Sequence, residues 1–95
     1  MKYGLDENIL ASIYEVVHKF NYDFYIFGSR ARGDYKYNSD IDIAIAGNVT
    51  ESEKDRIKNE FDKINIVYKL DILFISELKN ELLKENIKKE GVLIG

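Results

Sequence analysis

The chain has 95 residues, 45% of them apolar, with 14 basic and 17 acidic side chains and a net charge of −3. This length suits one compact domain, expected over residues 1–95. Cysteine is absent, which excludes disulfides and thiolate metal sites; no apolar run approaches the roughly 18 residues of a membrane span; and a net negative charge argues against direct nucleic-acid binding, which usually needs a basic excess or stripe. With no targeting pattern at the start of the sequence, a soluble cytoplasmic protein is expected.

Proline is also absent, so helix ends must be marked by glycine and polar caps. Asp6 is the expected cap of a first helix, whose Ile9, Leu10, Ile13, Val16, Val17 and Phe20 fall on one apolar stripe. "DFYIFG" reads as a strand over Asp23 to Phe27, "SRARG" as one helical turn stopped by Gly33, and "DYKYN" as a polar, aromatic loop. "IDIAIA" alternates strictly and predicts a strand over Ile41 to Ala46. Thr50 then caps a helix to about Lys63, with Glu53 at capping-box distance. A third strand is expected over Asn65 to Ile75. Ser76 is the expected cap of a last helix reaching about Lys89, with Leu78, Leu82, Leu83 and Ile87 inward, and "GVLI" fits a short edge strand. Alternating helices and strands predict an α/β domain of two or three layers. The helix between the second and third strands is long enough to make those two parallel. The irregular connection between the first two makes a mixed sheet compatible with the pattern.

The second strand carries an anomaly. Residues i and i+2 of a strand share a face and lie roughly 6.6–6.8 Å apart along the chain. Asp40 and Asp42 therefore share one face, and Ile41, Ile43 and Ile45 the other. An ionised carboxylate cannot be buried unpaired without a large cost, and two such neighbours repel each other. Asp71 interrupts "KLDILFI" in the same way and can reach the same face if its strand pairs with the second. One strand aspartate commonly caps a strand end or faces solvent; three converging carboxylates form an oxygen-only site suited to hard cations such as Mg²⁺ or Mn²⁺. Two such ions about 3.5–4 Å apart organise in-line displacement at phosphorus.

Gly28 and Ser29 follow a strand and precede a helical turn. Glycine lets the backbone approach an anion, and Ser29 adds a hydroxyl donor. A simple strand-to-helix cap would look the same, and the Gly-rich Lys-Ser/Thr loop of P-loop ATPases is missing. Arg30 and Arg32 point in different directions on a helix, so one can face phosphate while the other faces an acid or solvent. Tyr35 and Tyr37 lie in the loop that follows.

Taken together, Gly28-Ser29, ten intervening residues and Asp40-Ile41-Asp42 match the GS-x10-DxD signature of the DNA polymerase β-like nucleotidyltransferase superfamily. "GSRARG" and "SDIDIAI" resemble its smallest branch, the minimal nucleotidyltransferases that act as MntA-like antitoxins, along essentially the whole chain. The resemblance implies a small mixed sheet flanked by helices (an α+β nucleotidyltransferase fold). It implies that Asp40 and Asp42 hold two divalent metals on a nucleoside triphosphate, with Mg²⁺ the expected ion. Asp71 would complete the second metal site and help activate the attacking hydroxyl. Gly28 and Ser29 would hold the β- and γ-phosphates, with Arg30 and Arg32 as further nucleotide contacts. It further implies transfer of AMP from ATP to a tyrosine of a HEPN-family RNase toxin, with release of pyrophosphate.

Three aspartates and a Gly-Ser turn suffice for a reaction in which the protein mainly positions groups and stabilises charge. They supply no acceptor site, and a chain of 95 residues leaves little room for one. The acceptor is therefore expected on a partner or on a second copy, in a hetero- or homo-oligomer. Two other readings use the same residues: an antitoxin that masks its toxin by contact alone, and a transferase acting on a small molecule.

Overall fold

The computed structural model describes residues 2–95. The apolar stripe of the first helix, α1 (Glu7–Val17), buries Ile13, Val16 and Val17, and Asp6 Oδ1 caps it by accepting from the Ile9 N–H at 2.9 Å. Then come β1 (Asp23–Phe27), a one-turn helix α2 (Ser29–Arg32) and β2 (Ile41–Ala46). After α3 (Glu51–Asp62) the chain forms β3 (Leu70–Phe74), α4 (Glu81–Glu90) and the two-residue β4 (Val92–Leu93). Short 3₁₀ turns occupy Lys2–Gly4 and Ile75–Glu77.

The four strands form one mixed sheet in the order β3-β2-β1-β4. β1 runs antiparallel to β2 and β4, while β2 and β3 are parallel, joined by α3. Strand alternation sends Phe24, Ile26, Ile41, Ile43, Ile45 and Phe74 to one face, where they form a single apolar cluster with Ile13, Val16 and Val17 of α1 and Ile57 and Phe61 of α3. Ile41, Ile43 and Ile45 are fully buried, and each such side chain stabilises the fold by about 1.5–3 kcal/mol. The opposite face carries Tyr25, Ala44 and Ala46, and α4 lies along it: Tyr25, Ala46 and Ile87 line a groove of about 440 Å³. The result is three layers, α1 and α3, then the sheet, then α4. No helix among the described residues is long and apolar enough to cross a membrane.

Four expectations need correction. The third strand covers Leu70–Phe74 rather than Asn65 to Ile75, because β2, the strand it pairs with, begins at Ile41, opposite Leu70. Residues before Leu70 have no ladder to join, and Val67 is 92% exposed. Asn80, not Ser76, caps the last helix, its Oδ1 accepting from the Leu83 N–H. Ser76 lies in the 3₁₀ turn that Lys54 of α3 ties down through Glu77. With the helix starting at Glu81, Leu83 and Ile87 turn inward one helical turn apart, while Leu82 is left 67% exposed. At α3 the capping box is one-sided: Thr50 accepts from the Glu53 N–H, but the Glu53 carboxylate pairs with Arg56.

Replacing a helix cap by alanine costs about 1 kcal/mol. Asn80→Ala should therefore lower unfolding free energy by about that amount in denaturant titrations, whereas Ser76→Ala should change it by less than about 0.5 kcal/mol.

Candidate active site at the ends of three strands

The acids converge because of register. Asp42 and Asp71 are direct partners across the parallel β2–β3 pair, where neighbouring strands lie about 4.7–4.9 Å apart. On its other side Asp42 is opposite Phe27, the last residue of β1, so Gly28 follows immediately beside it. Asp40 precedes β2 by one residue, near enough for its charge to act on Asp42. Asp42 is thus the centre of the group, with Asp71 and Gly28 to either side and Asp40 before it. Asp40 is exposed, while Asp42 and Asp71 are partly buried.

Two features favour glycine at position 28. Its φ of 75° with ψ of −155° lies in a region open essentially to glycine alone. A Cβ built there would also stand 2.5 Å from Asp42 Oδ2. The backbone entering the Ser29 turn therefore lies directly against the central carboxylate. Gly33, at φ 92°, ends the turn with its N–H donating to the Ser29 carbonyl at 2.9 Å.

The two arginines diverge, as their spacing requires. Arg32 points outward and pairs with Asp34 at 3.2 Å and Glu90 at 3.1 Å. Arg30 turns inward and is 2% exposed. Its guanidinium donates to the carbonyls of Tyr3, Gly4, Tyr37 and Ser39 and lies over the rings of Tyr35 and Tyr68. This geometry differs from the expected nucleotide contact, because backbone carbonyls already occupy the group. Tyr35 is accordingly a packing residue, whereas Tyr37 is 85% exposed on the same loop. The role of Tyr68 had no local signal in the sequence, since only the tertiary fold brings it to Arg30.

Burial pushes the Asp42 carboxyl above the ordinary carboxylate range, and the charges of Asp71 and Asp40 push it further; Arg32 and Arg30 pull the other way without cancelling the rise. The cluster is thus short of positive charge. All three side chains offer oxygen donors, the set that a hard divalent cation takes, so the residues fit such an ion. Among the described residues, no three acidic, histidine or cysteine side chains close around a single ion position by themselves. The acids fit as part of a coordination shell that other oxygens would complete.

A carboxyl whose pKa rises on folding binds protons more tightly in the folded state. Its contribution to stability is complete below its unfolded value near 3.8 and is lost as pH rises through the folded value. Asp42→Asn should therefore raise the melting temperature of the metal-free protein at neutral pH. That gain should shrink towards pH 4, as read by thermal melts across pH. Gly28→Ala should instead destabilise the protein by about 1–3 kcal/mol at every pH.

The family model described as Polymerase beta, Nucleotidyltransferase matches residues 15–95. Among solved structures, the fold is similar to a crystal structure of a toxin-antitoxin with AMP-PNP, with a TM-score of 0.69 at 18% identity over 90% of this chain and 72% of that one. It is also similar to a proposed nucleotidyltransferase from Sulfolobus solfataricus, with a TM-score of 0.52 at 27% identity over 90% of this chain and 78% of that one. No curated protein matches the sequence significantly.

Proposed function

This chain belongs to the Polymerase beta nucleotidyltransferase family, and from that premise we propose that it is a protein adenylyltransferase antitoxin. It transfers AMP from ATP to a tyrosine hydroxyl of a HEPN-family RNase toxin. The observation that carries the reading is the Asp42–Asp71 register beside Gly28. That arrangement sets a carboxylate cluster against a backbone turn able to approach phosphate. A toxin-antitoxin holding AMP-PNP, an ATP analogue, among the similar folds supports the choice of donor and partner.

In this reading Gly28 and Ser29 bind the β- and γ-phosphates through backbone N–H groups and the Ser29 hydroxyl. Asp40, Asp42 and Asp71 would hold divalent cations, Mg²⁺ first, which would neutralise phosphate charge. Asp71 assists loss of the proton from the tyrosine hydroxyl. The tyrosine oxygen bonds to the α-phosphorus, the bond from that phosphorus to the bridging oxygen breaks, and pyrophosphate leaves with the electron pair. Arg32, at the rim of the cluster, contacts the nucleotide by exchanging one of its two surface carboxylates for phosphate. The protein's contribution is orientation and fixed charge, which is what phosphoryl transfer asks of an enzyme.

Purified protein mixed with labelled ATP, Mg²⁺ and the candidate HEPN toxin should label the toxin, and Asp42→Asn should reduce that labelling by about 100-fold or more. A neutralised toxin that carries no label, in a stable complex, would instead identify an antitoxin acting by contact alone.

A further inference from the structure

One side chain touches every segment that carries the site. Arg30 immediately follows Ser29. Its Nε and Nη2 donate to the Ser39 carbonyl at 3.1 and 2.8 Å, one residue before Asp40. Nη1 donates to the Tyr3 and Gly4 carbonyls at 2.9 and 3.3 Å, and Nη2 also reaches the Tyr37 carbonyl at 3.4 Å. Its central carbon lies 4.5 Å from the centre of the Tyr68 ring and 5.3 Å from that of Tyr35, and Tyr68 stands three residues before Asp71. A guanidinium has five N–H donors, and backbone carbonyls meet them all. No carboxylate pairs with it among the described residues.

We propose that Arg30 is a positioning residue that sets the spacing between the Gly28–Ser29 turn and the acids of β2 and β3, so that metal and nucleotide bind as one coupled unit. The inference rests on the reading of the site given above and replaces direct phosphate contact as the role of Arg30. To touch a phosphate, Arg30 would have to give up these part-buried carbonyls and leave them without their donor. Lysine cannot substitute for it. An ammonium keeps the charge but cannot fork between Ser39 and the Tyr3–Gly4 turn, nor offer a planar group to the rings of Tyr35 and Tyr68.

Coupling is measurable without the toxin. Mn²⁺ serves as the probe ion, its free concentration read by electron paramagnetic resonance with and without ATP and corrected for the Mn²⁺ that ATP holds in solution. ATP binding alone is read by calorimetry. In the intact chain each ligand should tighten the other by the same factor, about 5–150-fold. Arg30→Lys should reduce that factor to below about threefold while leaving ATP binding without metal within about threefold of the intact chain. An equal loss in ATP binding alone would make Arg30 a phosphate ligand and overturn the proposal. A lowered melting temperature with unchanged coupling would make it a structural residue only, and this too would overturn the proposal. If the intact chain shows no coupling, the reading of the site fails first, and this inference falls with it. Should Arg30→Lys fail to fold, Tyr68→Leu keeps the guanidinium and removes one ring: reduced coupling supports the proposal, and unchanged coupling overturns it.

Discussion

Everything at this site depends on the parallel pairing that sets Asp42 beside Asp71. A register shift of β2 by one residue would turn Asp42 towards the apolar face, away from Asp71, and bring Ile41 and Ile43 to the opposite one. Burial first, and then the like charges that the pairing brings together, raise the Asp42 carboxyl, a local cost that the other face of the same strand offsets. Three fully buried isoleucines there contribute several kcal/mol by area alone. Stability on one side of β2 thus permits repulsion on the other. The alternation that makes the strand amphipathic also keeps the two apart.

The second constraint is the absence of a side chain at Gly28. The φ angle demands glycine, and a methyl group there would press against Asp42 Oδ2, so the turn lies directly against the central acid. Lys54 adds a more distant support. It is nearly buried, bridges Glu51 and Glu77, and lies over Phe74, tying α3 to the end of the strand that carries Asp71.

Much of this was legible in the sequence. Strict alternation in "IDIAIA" gave β2 its limits, and the caps at Asp6 and Thr50 marked two helices. The acids stood out because each broke an apolar pattern, and the register then brought Asp42 and Asp71 side by side. The failures had one cause. Where β3 begins depends on where β2 begins, and whether Ser76 or Asn80 starts α4 depends on Lys54 reaching across from α3. The direction of Arg30 was equally hidden: its carbonyl and ring partners come from separate stretches of the chain, which local spacing cannot relate.

β3 lies at the edge of the sheet and pairs with β2 alone. Its outer backbone groups have no strand beyond them, whereas those of β2 are held on both sides. Edge strands open at lower free-energy cost than central ones. Of the two paired acids, Asp71 therefore sits on an edge strand and Asp42 on a central one. Amide hydrogen exchange would register this as unequal protection along neighbouring strands. The two paired acids thus differ in how firmly their backbone is held, the less protected one being that of Asp71.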